Sequence, residues 1–186
     1  PKILGNIAAA NIAIDYNIQG PSFTVSTACS SGGDAINTAC MCMQSGKADI
    51  MLAVGAESVL CPLVIYSLAN AKALSRRNDS PSTASRPFDV TRDGFVIGEG
   101  GGALVLETEE HALARGAKIY AEIRGCGNTD DAYHVTAPHP EGRGAIACMK
   151  QAIAEAGINP SDIGYINAHG TATNKGDRSE ERRVGK

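Results

Sequence analysis

Apolar and polar positions along the chain switch between two periods. Residues 23–27 alternate apolar and small polar side chains in the manner of a short strand, and 30–44 then carry Ala35, Ile36, Ala39, Cys40 and Met43 at helical spacing. Residues 50–55 form a short apolar run of the buried-strand kind, 62–74 predict a helix, and 103–107 a strand. Residues 109–115 predict a helix stopped by Gly116, and 119–125 another strand. A helix over 142–156 ends at Gly157 and presents Ala145, Ile146, Met149, Ala152 and Ile153 on one face. Residues 163–168 read as a strand leading directly to His169. Turn-forming residues gather in 76–93 and 128–143, the expected surface excursions. Alternating strands and helices of this kind predict a layered α/β fold.

Two segments stand out chemically. Thr27-Ala28-Cys29-Ser30-Ser31-Gly32 puts a cysteine at a strand-to-helix turn, where a helix N-terminus favours a thiolate and where backbone N–H groups can hold an oxyanion. Position alone leaves a second reading open, a buried free cysteine acting as a small hydrophobe. His169-Gly170-Thr171-Ala172-Thr173 supplies a histidine between a strand and a glycine turn. Of the other histidines, His111 lies on a polar helix, His139 between prolines in a loop, and His134 within Asp131-Ala132-Tyr133-His134. Gly98-Glu99-Gly100-Gly101-Gly102-Ala103 matches the dinucleotide fingerprint in letters, but a β-like run follows it where a phosphate site needs a helix. Those glycines are expected to serve a turn or close backbone packing.

Composition narrows the class. The chain has 186 residues, 43% hydrophobic and 20% charged, with net charge -3, enough for a sizeable core and without general attraction for nucleic acid. Its six cysteines follow no disulfide spacing, and neither a signal peptide nor a long apolar span is visible, so reduced thiols in the cytoplasm are expected. Cys40 and Cys42, two apart on a helix, point to different sides and do not suggest a metal site.

Further strings extend the pattern: Gly20-Pro21-Ser22, Gly55-Ala56-Glu57, Ser85-Arg86-Pro87-Phe88-Asp89, Arg92-Asp93-Gly94-Phe95-Val96, Gly98-Glu99-Gly100, and Asn167-Ala168 before His169. In this order and spacing, over nearly all of 5–177, the chain resembles the β-ketoacyl-acyl carrier protein synthases, and within them the elongating synthase II type of fatty acid synthesis. The resemblance implies a thiolase-like layered α/β/α fold of two similar halves, incomplete here, with the end of the first half and the start of the second. It implies Cys29 as the nucleophile that accepts an acyl chain, and His169 as the catalytic histidine. Thr171 and Thr173 match residues that bind the pantetheine arm, with bracing of the glycine turn as the alternative. His134 would lie near the entrance or brace its loop. Val64 and Leu68 would line the acyl pocket or simply belong to the core. Lys72 would face the acidic carrier protein. No cofactor or metal is implied, because the substrates ride on the phosphopantetheine of acyl carrier protein. The implied partners are that carrier and a second copy in a homodimer, not nucleic acid or membrane.

Both ends look unlike natural termini. Residues 1–177 read as a ketosynthase fragment lacking both native ends. The run 178–186 resembles translated sequencing-adapter DNA, with a solvated helical charge run as the alternative. Glu180 falls where the family has a glutamate three residues after Asp177, yet it is left outside the expected site. A second histidine, a lysine and a Gly-Phe-Gly-Gly turn that the family needs would lie beyond Asp177, so the chain by itself is expected to be inactive and poorly folded. A polyketide ketosynthase and a thiolase-type acyltransferase using coenzyme A esters are the competing functions. A chain-length-factor subunit is disfavoured by Cys29, and an α/β-hydrolase by the absence of a Gly-x-nucleophile-x-Gly elbow.

Overall fold

The computed structural model describes residues 4–184. In chain order its elements are α1 (Ile7–Asp15), α2 (Ser31–Gln44), β1 (Ile50–Glu57), α3 (Pro62–Asn70), β2 (Gly100–Glu107), α4 (Glu109–Ala114), α5 (Arg143–Ala156) and α6 (Asn174–Val184), with 3-10 turns at Ala28–Ser30, Pro81–Thr83 and Pro160–Asp162. They group into two compact units, residues 4–57 with 100–122, and residues 58–99 with 123–184. Among the described residues no helix is long and apolar enough to cross a membrane.

In the first unit β1 and β2 form an antiparallel pair whose register runs from Ile50 opposite Glu107 to Glu57 opposite Gly100. The strand predicted from 103 begins at Gly100 instead, because Gly100, Gly101 and Gly102 continue the ladder opposite Glu57, Ala56 and Gly55. The glycine run is thus strand, and a Cβ at Gly101 would sit 3.6 Å from that of Ala56. Helix α2 packs against β1 through small side chains, with Ala39 and Ala53 buried. A Cβ on Gly55 would lie 3.7 Å from the Cα of Gly32, so the first turn of α2 approaches the end of β1 closely. At the other end of the sheet Glu107 receives a two-pronged bond from Arg115, both contacts at 2.6 Å, and lies 2.5 Å from Nδ1 of half-buried His111. These bonds tie β2 to α4.

In the second unit α3 is shorter than its periodicity predicts. It stops at Asn70 because Lys72 takes φ 55° and donates its N–H to Ala69, while Ala73 donates to Leu68, an ending that glycine usually supplies. The chain released at Ala73 then bonds to Phe95, whose N–H donates to Ala73 and whose carbonyl accepts from Ser75. Gly94 makes this approach possible: at φ 140°, a Cβ there would lie 2.5 Å from the carbonyl carbon of Leu74. Helix α5 runs as predicted between Gly142 and Gly157, both with positive φ.

Three predicted strands, over 23–27, 119–125 and 163–168, join no ladder among the described residues. Alternation specifies a two-faced extended segment, whereas a strand also needs a neighbour about 4.8 Å away, which the pattern does not contain. Just past the second of them the N–H of Cys126 donates to Glu155 at 2.9 Å and that of Asn128 to Gln151 at 3.1 Å, side chains one helical turn apart on α5. Gly125 and Gly127 allow this contact, since a Cβ on Gly127 would meet the Cys148 carbonyl oxygen at 2.1 Å.

Two tests follow from these packings. Gly127→Ala forces backbone apart and should lower stability by about 3 kcal/mol or more, read as a lower urea midpoint. The Arg115 and His111 bonds pull the Glu107 carboxyl from 4.5 down to about 2. Its stabilising contribution is therefore complete above pH 4.5 and lost as pH falls towards 2. Glu107→Gln should remove that acid-limb slope from the pH profile of the unfolding midpoint.

Candidate active site

Cys29 sits in the 3-10 turn Ala28–Ser30 that runs straight into α2, with its side chain exposed. The turn is tight because Ala28 takes φ 53°, a left-handed conformation that costs a residue with a Cβ about 1 kcal/mol or more. Local hydroxyls hold it there. Ser31 Oγ donates to the Ala28 carbonyl at 2.6 Å and accepts the Thr27 N–H at 2.9 Å. Ser30 Oγ has one proton and two acceptors in reach, the Thr27 carbonyl at 2.9 Å and Asp34 Oδ2 at 3.1 Å. Thr27 Oγ1 donates to that same Asp34 oxygen. The predicted strand-to-helix placement is therefore met on its helical side, and Asp34, which sequence reasoning passed over, bonds to residues on both sides of Cys29.

His169 belongs to the second unit, on an exposed stretch between Ala168 and Gly170. Its loop is gripped through backbone amides by two carboxylates of α6. Glu180 accepts the N–H groups of His169 and Gly170, each at 2.7 Å, one per carboxylate oxygen. Asp177, fully buried, accepts the Ala172 N–H at 3.1 Å on one oxygen and the Phe88 N–H at 2.7 Å on the other. Arg92 Nε stands 3.3 Å from Asp177 and its guanidinium also reaches the carbonyls of Asp89, Thr173 and Asn174. Phe88, Gly170 and Ala172 all have φ between 52° and 65°, so the grip holds conformations that an unrestrained chain would leave. At position 170 it is the positive φ that favours glycine, since a Cβ there would meet Phe88 and Pro87 at 3.5 Å, an ordinary contact.

Glu180 and buried Ser179 fall within 178–186, and the described part of that run forms the body of α6. The spacing of Glu180 from Asp177, noted in the sequence but set aside, was the signal that pointed to it: carboxylates three apart share one helix face, and the glycine-rich loop before the helix offers it a row of amide donors.

The other expected site residues divide. Thr171 and Thr173 lie in the His169 loop with their hydroxyls 3.0 Å apart, and Thr173 Oγ1 also accepts the Gly176 N–H, which fits the bracing alternative. His134 braces its own loop, its Nδ1 accepting the N–H groups of Thr136 and Ala137, each at 3.1 Å. His139, in its loop between prolines, is half-buried edge-on to Tyr133, and its backbone N–H donates to Asp131. Val64 and Leu68 are half-buried one turn apart on α3, and Lys72 is exposed just past its end.

Comparison with known proteins places the chain that carries this cysteine turn and histidine loop in a family. The chain matches the β-ketoacyl synthase N-terminal domain over residues 1–112 and the β-ketoacyl synthase C-terminal domain over 120–186, and it belongs to that family. It is 51% identical to 3-oxoacyl-[acyl-carrier-protein] synthase 2 of Rhizobium meliloti (strain 1021), over 93% of this chain and 41% of that protein. It is 47% identical to the mitochondrial 3-oxoacyl-[acyl-carrier-protein] synthase of Arabidopsis thaliana, over 99% of this chain and 40% of that one. The chain thus spans about two fifths of the length of these relatives. Among solved structures, a β-ketoacyl synthase from Burkholderia phymatum STM815 superimposes with TM-score 0.90 at 40% identity, covering 97% of this chain and 43% of that one. A type II polyketide synthase acyl-carrier protein in complex with its ketosynthase bound to the hexaketide gives TM-score 0.91 at 42% identity, over 95% and 43%. The thiolase-like α/β fold expected from the sequence is that of these neighbours.

Asp177→Ala would leave Arg92, whose side chain is only 12% exposed, without its carboxylate, and should cost about 3–5 kcal/mol by urea unfolding. Glu180→Ala should instead speed amide hydrogen exchange at His169 and Gly170 selectively, and unchanged exchange there would contradict the grip.

Proposed function

We propose that this chain supplies part of the active site of an elongating condensing enzyme that joins an acyl group to malonyl-acyl carrier protein. Cys29 first attacks the acyl-carrier thioester. Its sulfur forms the new bond to the carbonyl carbon, and the carrier thiol leaves with a proton. Malonyl-carrier then loses carbon dioxide. The electrons of the broken carbon–carbon bond pass into the remaining thioester, where charge develops on oxygen. A His169 side chain donating to that oxygen helps only as the charge appears, which is how a positioned donor accelerates a step. The resulting carbanion attacks the Cys29 thioester, the thiolate is expelled, and a 3-oxoacyl product two carbons longer is released on the carrier.

The observation that carries this reading is the exposed His169 on a loop whose amides at 169, 170 and 172 are all bonded to carboxylates of one helix. A hydrogen-bond donor for a transient oxyanion works best when fixed beforehand, and this loop is fixed. The names of the synthase relatives support the substrate class. The likeness to a ketosynthase in complex with its acyl-carrier protein supports a carrier partner, with exposed Lys72 as a contact. Thr171, Thr173 and His134 would line the approach of the pantetheine arm, Val64 and Leu68 that of the acyl chain. A homodimer in the cytoplasm completes the reading, and chain beyond these residues supplies the remaining catalytic groups. A ketosynthase of a polyketide pathway is the second reading, supported by the likeness to that same complex, whose ketosynthase is bound to a hexaketide.

In the full-length enzyme, Cys29→Ala should abolish transfer of a labelled acyl chain to protein. His169→Ala should retain that transfer but slow carbon dioxide release from malonyl-carrier by about 100-fold or more. The 186-residue chain alone should give no 3-oxoacyl product. Loading of acyl groups in the Cys29→Ala enzyme would overturn the assignment.

A further inference from the structure

The clamp on the histidine loop has a counterpart beside the cysteine that the condensation chemistry does not itself require. Asp34 lies in the first turn of α2, five residues beyond Cys29, and its carboxylate does not face away from the turn. One oxygen accepts from Thr27 Oγ1 and lies 3.1 Å from Ser30 Oγ, so the same atom bonds to the residue two before Cys29 and the residue directly after it. Between those residues the backbone is strained at Ala28, with φ 53°. The remaining bonds of the turn run through Ser30 and Ser31 and are all local. Asp34 adds to the tie from Ser31, the first residue of α2, an anchor one turn further into the helix.

Electrostatics makes this placement informative. A carboxylate in a first helical turn interacts favourably with the helix dipole, but it also opposes a second negative charge nearby, such as a thiolate at Cys29. If its charge were the useful feature, it would work against the nucleophile. Its acceptor geometry is what the turn uses. We propose that Asp34 is a positioning residue for Cys29: by accepting from Thr27 and Ser30 it holds the left-handed turn that keeps the thiol at the start of α2, and an uncharged acceptor of the same shape would serve as well or better. This rests on the reading of Cys29 as nucleophile, but its test does not need condensation to occur.

The test is alkylation of Cys29 by iodoacetamide in the full-length enzyme, followed peptide by peptide because the chain has six cysteines. In that reaction the thiolate sulfur bonds to the reagent's methylene carbon and iodide leaves, so the rate reports access and thiolate character at Cys29. Asp34→Ala should slow Cys29 alkylation about tenfold, while Asp34→Asn, whose amide oxygen still accepts both hydroxyls, should react at or above the wild-type rate. Thr27→Val with Ser30→Ala, which leaves Asp34 in place but removes both donors, should reproduce the slow phenotype. This pair of variants also keeps the test decisive if Asp34→Ala folds badly. Wild-type rates in the donor-less variant, or Asp34→Asn as slow as Asp34→Ala, would overturn the proposal. Should the wild-type enzyme alkylate as expected yet fail to condense malonyl-carrier, the functional reading falls and the positioning role stands.

Discussion

Backbone amides bonded to helix carboxylates organise the second unit. Asp177 is fully buried and touches the chain at Phe88 and Ala172, 84 residues apart in sequence, while Arg92 neutralises it and collects three carbonyls of the same region. A buried carboxylate without such partners would be too costly to keep, and with them it is hard to remove. The loop residues it holds adopt left-handed conformations that only a surrounding structure of this kind stabilises. Glu180, one turn along α6, extends the same grip to His169 and Gly170.

The first unit uses the same device on a smaller scale. Its sheet brings Gly55 against the start of α2, and the turn that begins the helix is tied by serine and threonine hydroxyls to Asp34. In both units the cysteine or histidine side chain is exposed, and a carboxylate of the adjoining helix, Asp34 or Glu180, helps to shape its turn. Regular secondary structure does not present a thiol or an imidazole at such an angle, whereas a strained turn does, provided something stable holds it.

Periodicity identified α2 to α5 but not α1 or α6. Residues 30–44 and 142–156 became α2 and α5 almost to the residue, because an apolar stripe with a glycine stop is a local property. It failed at the end of α3, where Lys72 closes the helix in a conformation normally left to glycine, and at residues 100–102, where glycines continue a strand by pairing across it. It also marked extended segments at 23–27, 119–125 and 163–168 without revealing whether a neighbour would pair with them. Cys29 and His169 were legible as chemistry because their motifs are contiguous in sequence. Asp34 was not, and Glu180 was marked only by its family position and left outside the site, since a carboxylate on a polar helix looks alike whether it faces water or a backbone amide.

The sequence by itself determined the family, the two candidate reactive side chains and the helices α2 to α5, all of which follow from residue order over short spans. Only the tertiary structure decided which carboxylates brace them. That choice depends on contacts between residues such as Phe88 and Asp177, whose separation in the chain leaves no periodic trace, and on the low exposure that makes each such bond strong.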